Sequence, residues 1–511
     1  MGPPVWLEWS EVQPGAPGIR ALVVSAGEWR RDAERLAASG ARLLSLWGDS
    51  DASNTPRIWA VFLTQHQALL LTLPLRDMDA RYPGIEDLFP YATRMQRAVA
   101  DLSGLHSTDP DTRPWLRHGA WPPQYRPLVD GPLAEPLAAE VDAYRFVRVE
   151  GDGVHEIPVG PVHAGIIEPG HFRISTVGEK VLKLEERLGY VHKGIEQRFT
   201  QLPILEGHRL AARVSGDSAV AFSWAYCQAL EALSGASIPP RATALRALCL
   251  EIERVANHLG DLGALGNDAG FAFGLSQFSR LKESLLRVTQ TALGERYLLN
   301  AIIPGGTRVD LESTGHVQLE TCLRAIAREA QVLRNIYDEH AGVRDRFAGA
   351  GTVAPQLAAR LGLVGLAGRA SAQAYDLRVD RPCEPYTELT PEKCGRSEGD
   401  VAARVAVRFD EIQESCRLIA RILETLPGGA HIAEPPIPPA PALGIGLIEG
   451  WRGPVLVALE AGAHGTTRRC HPHDPSWQNW PVLEHAIIGN IVPDFPLINK
   501  SFNLSYSGHD L

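Results

Sequence analysis

The hydrophobic pattern changes its period along this chain. Up to about residue 130, short apolar or alternating runs dominate: residues 21–24, 42–47, 58–63 and 68–73 are rich in β-branched, aromatic and aliphatic side chains and predict strands. Residues 28–38 and 88–102 carry helical spacing and predict two helices. Together these elements predict a small α+β domain over residues 1–130. Residues 109–136 are rich in proline and charge and carry Trp115, Trp121 and two adjacent prolines at 122–123. They predict a linker, about 109–141, that packs on a surface.

A second domain is expected over residues 142–511. Residues 144–149 predict a strand, and 171–176 with 180–185 a hairpin turning through Val177, Gly178 and Glu179. Beyond Pro240 the period becomes helical: Leu245, Leu248, Ile252, Val255 and Leu259 fall on one face, and Pro240 suits the first turn. Residues 219–233 and 276–298, the stripe Leu319, Leu323, Ile326, Ala330 and Leu333, and residues 401–426 predict further helices that pack as a bundle. Residues 443–448 and 455–459 predict another hairpin, around Trp451 and Arg452. The expected fold class is an α+β N-terminal domain followed by a mainly α-helical domain with small β-hairpins. No internal repeat is present.

Composition narrows the function classes. The chain has 511 residues, 45% hydrophobic and 22% charged, as in folded multidomain proteins. A net charge of −10 argues against nucleic acid as a partner. No run of 18 apolar residues occurs, and the first residues lack a basic segment followed by an apolar core, so neither a membrane span nor a signal peptide is expected. The seven cysteines are scattered, with no C-x-x-C and no zinc or iron–sulfur spacing, which points to a reducing, cytoplasmic setting. No G-x-G-x-x-G follows a predicted strand, so no nucleotide fingerprint is present.

Four constellations could carry chemistry. Gly160-Pro-Val-His163 and Glu168-Pro-Gly-His171-Phe-Arg173 place two histidines, an acid and an arginine at the start of a hairpin, either to move protons or to cap backbone groups. His192 and Glu196 are four apart, a relay or a surface pair if that segment is helical. Arg213-Val-Ser215-Gly-Asp217-Ser218 precedes an apolar run and reads as a helix N-cap; without a G-x-S-x-G frame its serines are not read as nucleophiles. The tail 495–511 reads as a buried last segment. Cys470-His-Pro-His-Asp474 is a weak candidate for metal binding.

In this order the pieces resemble one family. They are Gly160-Pro-x-His163, Glu168-Pro-Gly-His-Phe-Arg173, Tyr190-Val-His-x-Gly-x-Glu196, Arg213-Val-x-Gly216, Glu251-x-Glu-Arg254 with His258, Arg369-Ala-Ser371 with Asp376-x-Arg378, and Asn479-Trp-Pro481 leading to Pro496-Leu-Ile498. From about residue 155 onward the chain resembles the large subunit of energy-converting nickel–iron hydrogenases of the formate-hydrogenlyase type, and the quinone-module large subunit of respiratory complex I. Tyr82-Pro, Leu88-Phe-Pro and Arg94-Met95 give the N-terminal part a looser resemblance to the small accessory subunit of complex I, fused to the large one.

The departures are as informative as the matches. The resemblance implies four thiolates holding nickel and iron, from R-x-C-G-x-C and D-P-C-x-x-C. Here those positions are Ser215, Ser218, Ser505 and Gly508, so no metal is expected and genuine hydrogenase activity is not. In the complex I relative a hairpin histidine and a tyrosine hold the quinone headgroup. His171 is the counterpart of the first, but no tyrosine stands near Ser215 and Gly216, and Tyr226 and Tyr506 lie only in the general region. The resemblance implies that His163, His171, Glu196, Arg213, Asp217, Asp376 and Arg378 line the former metal cavity, for proton movement or a small redox partner, or simply to hold the emptied fold together. It further implies a subunit of an oxidoreductase complex, peripheral on the cytoplasmic side of the inner membrane. The expected partners are an iron–sulfur small subunit, a ferredoxin-like subunit and membrane ion-pump subunits. No cofactor is expected on this chain itself, the iron–sulfur cluster being the partner's and quinone a candidate substrate; NAD binding belongs to the family level only. The alternative is a non-catalytic scaffold, whose cavity would be filled by side chains such as Phe222, Trp224 and Tyr506.

Overall fold

The computed structural model describes residues 11–12, 18–49, 55–64, 67–77, 81–133, 144–163 and 167–511. The opening residues, the linker positions 134–141 and the expected domain start at 142 lie outside the described residues.

The N-terminal strands are β1 (Glu11–Val12), β2 (Ile19–Val23), β3 (Arg42–Asp49), β4 (Arg57–Leu63) and β5 (Ala68–Pro74), with α1 (Ala26–Ala38) and α2 (Ala92–Ser103). They form a sheet of order β1-β2-β5-β4-β3, in which only β2 and β5 run parallel. The strands are nearly continuous apolar runs because both faces are covered. One face packs Trp29, Leu36 and Phe62 into the main core. The other presents Trp47, Trp59, Val61 and Leu70 to Ile445, Leu456 and Ala458 near the end of the chain.

The described part of the segment expected to pack on a surface is mostly exposed or half-buried, but it anchors itself in the interior at one point. Trp115 and Leu116 are each 1% exposed. The Asp101 carboxylate on α2 accepts the backbone N–H groups of Trp115, Leu116 and Arg117 at 2.6, 2.7 and 3.2 Å, which replaces the regular structure this stretch lacks. The strand expected at 144–149 is absent. Its backbone is bonded by side chains instead of a ladder: Val147 N–H donates to Glu185 Oε2 at 2.8 Å, and Lys183 Nζ donates to the Val147 carbonyl at 3.0 Å.

The hairpin β7 (His171–Val177) and β8 (Lys180–Arg187) forms as expected and gains an outer strand, β6 (Val154–Val159). The bundle comprises α3 (Ala219–Ser234), α4 (Pro240–Asp268), α5 (Ala272–Leu293), α6 (Ser313–Glu339) and α7 (Val401–Thr425). Pro240 occupies the first turn of α4, and Leu245, Leu248, Ile252, Val255 and Leu259 are all buried. Asp400 caps α7, accepting the Ala403 N–H at 2.8 Å. The late hairpin, β9 (Ala442–Gly450) and β10 (Gly453–Ala461), is joined by β11 (Thr467–His473). Helix α3 lies directly on β9: a Cβ at Gly446 would come within 1.9 Å of the Ala225 carbonyl oxygen, so only glycine lets the two backbones approach. The chain closes with α8 (Ser476–Ala486), α9 (Phe495–Phe502) and α10 (Tyr506–Asp510), buried as the apolar tail predicts.

Candidate functional site

Two loops far apart in sequence meet at one cleft. Residues 212–218 turn the chain into α3, and Asn503, with φ of +45°, ends α9 and redirects the chain into α10. Ser215 Oγ lies 2.8 Å from Ser505 Oγ and donates to Asp217 Oδ1 at 2.7 Å. Ser505 caps α10, its Oγ accepting the Gly508 N–H at 2.8 Å. Arg452, in the turn between β9 and β10, completes the wall: its Nη1 donates to Asp217 Oδ1 at 2.8 Å and to Ser218 Oγ at 3.3 Å, its Nη2 pairs with Asp217 Oδ2, and its Nε donates to the Asn503 carbonyl at 2.5 Å. Burial pushes the Asp217 carboxyl up, but the Arg452 guanidinium and the Ser215 hydroxyl more than offset this and hold it below the ordinary carboxylate range. The cleft measures about 460 Å³ and is lined by Glu168, Ser215, Asp217, Arg452, Lys500 and Tyr506 among others. It opens at the exposed Gly216 and Ile167.

The four positions at which the resemblance places thiolates therefore gather at this wall: Ser215 and Ser505 line the cleft, Ser218 touches Arg452 and Gly508 touches Ser505. Three carry hydroxyls, two of them hydrogen-bonded to each other. At the fourth, Gly508, a Cβ would come within 2.6 Å of Asp474 Oδ2 and 2.9 Å of Ser505 Oγ, so a carboxylate occupies the space a side chain would need. Burial raises the Asp474 carboxyl, and its Oδ2 has no hydrogen-bond partner among the described residues. None of the seven cysteines lines the cleft. Among the described residues no three His, Cys, Asp or Glu side chains converge as a metal would require. Neutral hydroxyls and a glycine do not fit a thiolate-held metal pair.

The other expected cavity residues are dispersed. His163 Nε2 bonds the Gly170 carbonyl at 2.8 Å and His171 Nδ1 the Gly160 carbonyl at 3.2 Å, so both serve the turn leading into β7. Only Glu168 of that constellation reaches the cleft, where its Oε2 accepts the Ser507 N–H at 3.0 Å. Arg213 is exposed and reaches the Arg209 carbonyl at 2.6 Å. His192 and Glu196 do not meet: Gly194, at φ of +65°, precedes a helix that begins only at Ile195, and His192 Nδ1 bonds the Asp510 carbonyl at 2.7 Å. Of the seven, Asp217 alone lines the cleft.

Glu196 belongs to a second cluster, between the N-terminal sheet and β11. His471 Nδ1 lies 2.5 Å from Glu196 Oε1 and its Nε2 lies 2.9 Å from Ser45 Oγ, while Arg469 Nη1 lies 3.1 Å from the same carboxylate. Burial holds His471 below its usual pKa, so the ring is neutral, with Nδ1–H donating to Glu196 and the Ser45 hydroxyl donating to Nε2. His471 and His473 are thus taken by Glu196 and Gln478, not by a metal.

Asp376 and Arg378 belong to a third, wholly buried network that ties α4 and α7 to β9. Arg378 spans Asp376 at 2.7 Å and Glu251 at 3.2 Å; Glu251 also accepts from Tyr386 and Ser415 at 2.7 and 2.6 Å. Arg369 bridges Glu411 at 2.7 Å and Glu449 at 2.9 Å, and His258 Nε2 lies 2.8 Å from Glu411. Burial would raise the Glu411 carboxyl, but Arg369 and His258 hold it well below its ordinary value. The motif residues Glu251, Arg254, His258, Arg369, Asp376 and Arg378 are thereby gathered at one place. Glu253, on the opposite side of α4, caps α3: its carboxylate accepts the Val220 and Ala221 N–H groups at 2.7 and 3.3 Å, the role expected of Ser218. Sequence reasoning missed Arg452, Glu411, Glu449 and Lys500, and read Asp474 only as part of a weak metal candidate. For Glu411 a signal exists, a charge on the buried face of an otherwise amphipathic helix. The others are single charges in a turn, a strand or a tail.

Residues 268–442 match the family described as "Respiratory-chain NADH dehydrogenase, 49 Kd subunit". Formate hydrogenlyase subunit 5 of Escherichia coli is 31% identical over 84% of this chain and 77% of its own length. The carbon monoxide-induced hydrogenase of Rhodospirillum rubrum is 31% identical over 68% of this chain and 97% of its own. A solved chain of the membrane-bound sulfane sulfur reductase, an archaeal respiratory membrane complex, shares the fold with a TM-score of 0.66 at 24% identity, covering 70% of this chain and 99% of that one. The chain belongs to the family that joins the 49 kDa subunit of respiratory NADH dehydrogenase to the large subunits of formate-hydrogenlyase-type hydrogenases.

Proposed function

We propose that this chain is the large subunit of a membrane-associated oxidoreductase complex, that it works without a nickel–iron centre, and that its cleft takes a quinone or another small redox partner. The observation that carries this reading is the open cleft lined by Ser215 and Ser505, with Ser218 and Gly508 next to its wall residues Arg452 and Ser505 and no thiolate at any of the four positions. Phe222 and Trp224, which a filled scaffold would use as plugs, lie in the core away from the cleft, and Tyr506 forms part of its wall. Ser505, Ser215 and Asp217 form a hydrogen-bonded chain into the wall, suited to holding a proton beside a substrate that is being reduced.

Electrons would come from an iron–sulfur cluster in a partner subunit and would be coupled to ion movement in membrane subunits. The names of the relatives, subunits of a formate hydrogenlyase and of an NADH-quinone oxidoreductase, support membership of a multi-subunit complex. Attachment would run through such partners on the cytoplasmic side; among the described residues no helix is long and apolar enough to cross a membrane. The test is purification of the tagged chain from its own membranes, with mass spectrometry, metal analysis and a quinone-reduction assay. Iron without nickel, co-purifying iron–sulfur and membrane subunits, and inhibitor-sensitive quinone reduction are expected. Stoichiometric nickel would overturn the reading. The same subunits with no turnover would favour the scaffold.

A further inference from the structure

A second cleft, of about 670 Å³, lies in the N-terminal part of the chain, between α2, the turn at residues 104–107 and residues 111–126. Arg81, Arg97, Arg113, Arg117 and Arg126 line it, together with His106. A protein with a net charge of −10 has no general excess of cations to place there.

Both carboxylates in the wall are already occupied. Asp101 accepts the three backbone N–H groups of residues 115–117. Asp111 is shared by Arg97 at 3.2 Å and Arg113 at 2.7 Å, and Arg113 also reaches Glu185 at 2.6 Å. Those two arginines are compensated. Arg126 has Asp130 at 3.2 Å. Arg117 reaches carbonyl oxygens, those of Pro122, of Pro123 at 2.6 Å and of Tyr125 at 3.3 Å, and no carboxylate among the described residues. Arg81 is exposed. Among the described residues the Nε groups of Arg117 and Arg126 are both buried without a hydrogen-bond partner. Carbonyls fix the Arg117 fork in place without neutralising it, which is how a guanidinium is kept ready for an anion.

We propose that this cleft binds a phosphate-bearing anion. Its size falls within the range of roughly 300–1,000 Å³ usual for small-molecule sites. The phosphate could come from a free di- or polyphosphate or from a lipid headgroup. Calorimetric titration of the purified full-length chain with pyrophosphate, at about 0.15 M salt to screen loose ion pairing, tests the first source. Flotation with phosphatidylglycerol against phosphatidylcholine vesicles tests the second. Arg117→Gln and Arg81→Gln are each expected to weaken binding about tenfold or more, as loss of a charged hydrogen bond does, while Arg287→Gln, on the exposed face of α5, leaves it unchanged. Arg81 is exposed, so its replacement leaves the fold intact and keeps the test valid if Arg117→Gln misfolds. Saturable pyrophosphate binding with that pattern supports a free ligand. Binding to phosphatidylglycerol alone, with the same pattern, supports a headgroup. Binding of neither probe, or equal weakening by Arg287→Gln, overturns the proposal.

Discussion

The hydroxyls of Ser215 and Ser505 lie 2.8 Å apart although 290 positions separate them in sequence. The double variant S215C/S505C should therefore close a disulfide across the cleft on mild oxidation, the two side chains being in contact. Thiol titration before and after oxidation should show the loss of two reactive thiols relative to either single variant. Retention of both thiols would mean that the two loops do not meet.

Arg369 is 0% exposed and holds both Glu411 and Glu449. Arg369→Leu removes the cation that bridges two buried carboxylates, leaving Glu411 with only His258 and a longer Arg254 contact at 3.5 Å among the described residues, and should destabilise by about 3–5 kcal/mol. Urea denaturation of the purified chain measures this. A change below about 1 kcal/mol would place it among ordinary surface substitutions and show that the network is not buried as described.

Glu196 gives the joint between the N-terminal sheet and β11 an acid limit. Burial alone would raise its carboxyl, but Arg469 and His471 pull it down from 4.5 to about 2. A depressed acid contributes stability above its unfolded pKa and loses it as pH falls through the folded one. The loss should fall between pH 4.5 and about 2, and amount to about 3 kcal/mol. Glu196→Gln should flatten stability against pH over that window, as followed by tryptophan fluorescence of Trp47 and Trp477.

Glu253 shifts the other way. Burial raises its carboxyl to about 8, against the opposing pull of the two N–H groups it caps. Stability tied to this proton is complete below the unfolded value of 4.5 and declines as pH rises towards about 8. Glu253→Gln keeps an acceptor for both N–H groups and carries no charge. It should raise the melting temperature relative to the native chain at pH 8 and leave it nearly unchanged at pH 5. An equal drop at both values would show that the carboxylate form is the one required.

Much of the fold was legible because period and position agree. Pro240 starts α4, Asp400 caps α7, and the hairpins fall where apolar runs are broken by glycine. Strand β11 was not legible. Its sequence, Thr-Arg-Arg-Cys-His-Pro-His, has no alternation, and partners elsewhere, Glu196 and Gln478, satisfy its polar side chains. The convergence of Ser215 with Ser505 was legible only through the family pattern, since nothing local links them. His163 and His171 looked chemical but bond backbone carbonyls, because a turn without ladder partners must satisfy those groups somehow. Arg452 and Glu449 gave no periodic signal, yet they shape the cleft wall and the charge network beneath β9.

The pairing of the N-terminal sheet with β9 and β10 also sets a timetable. Trp47, Trp59 and Leu70 wait for Ile445 and Leu456, some 370 residues downstream of the last N-terminal strand. At roughly 5–20 residues per second on the ribosome, that greasy face stays bare for about 20–75 s. Holdase chaperones should therefore engage the nascent chain between the emergence of β5 and that of β10, and starving cells of them should lower the yield of this protein through aggregation.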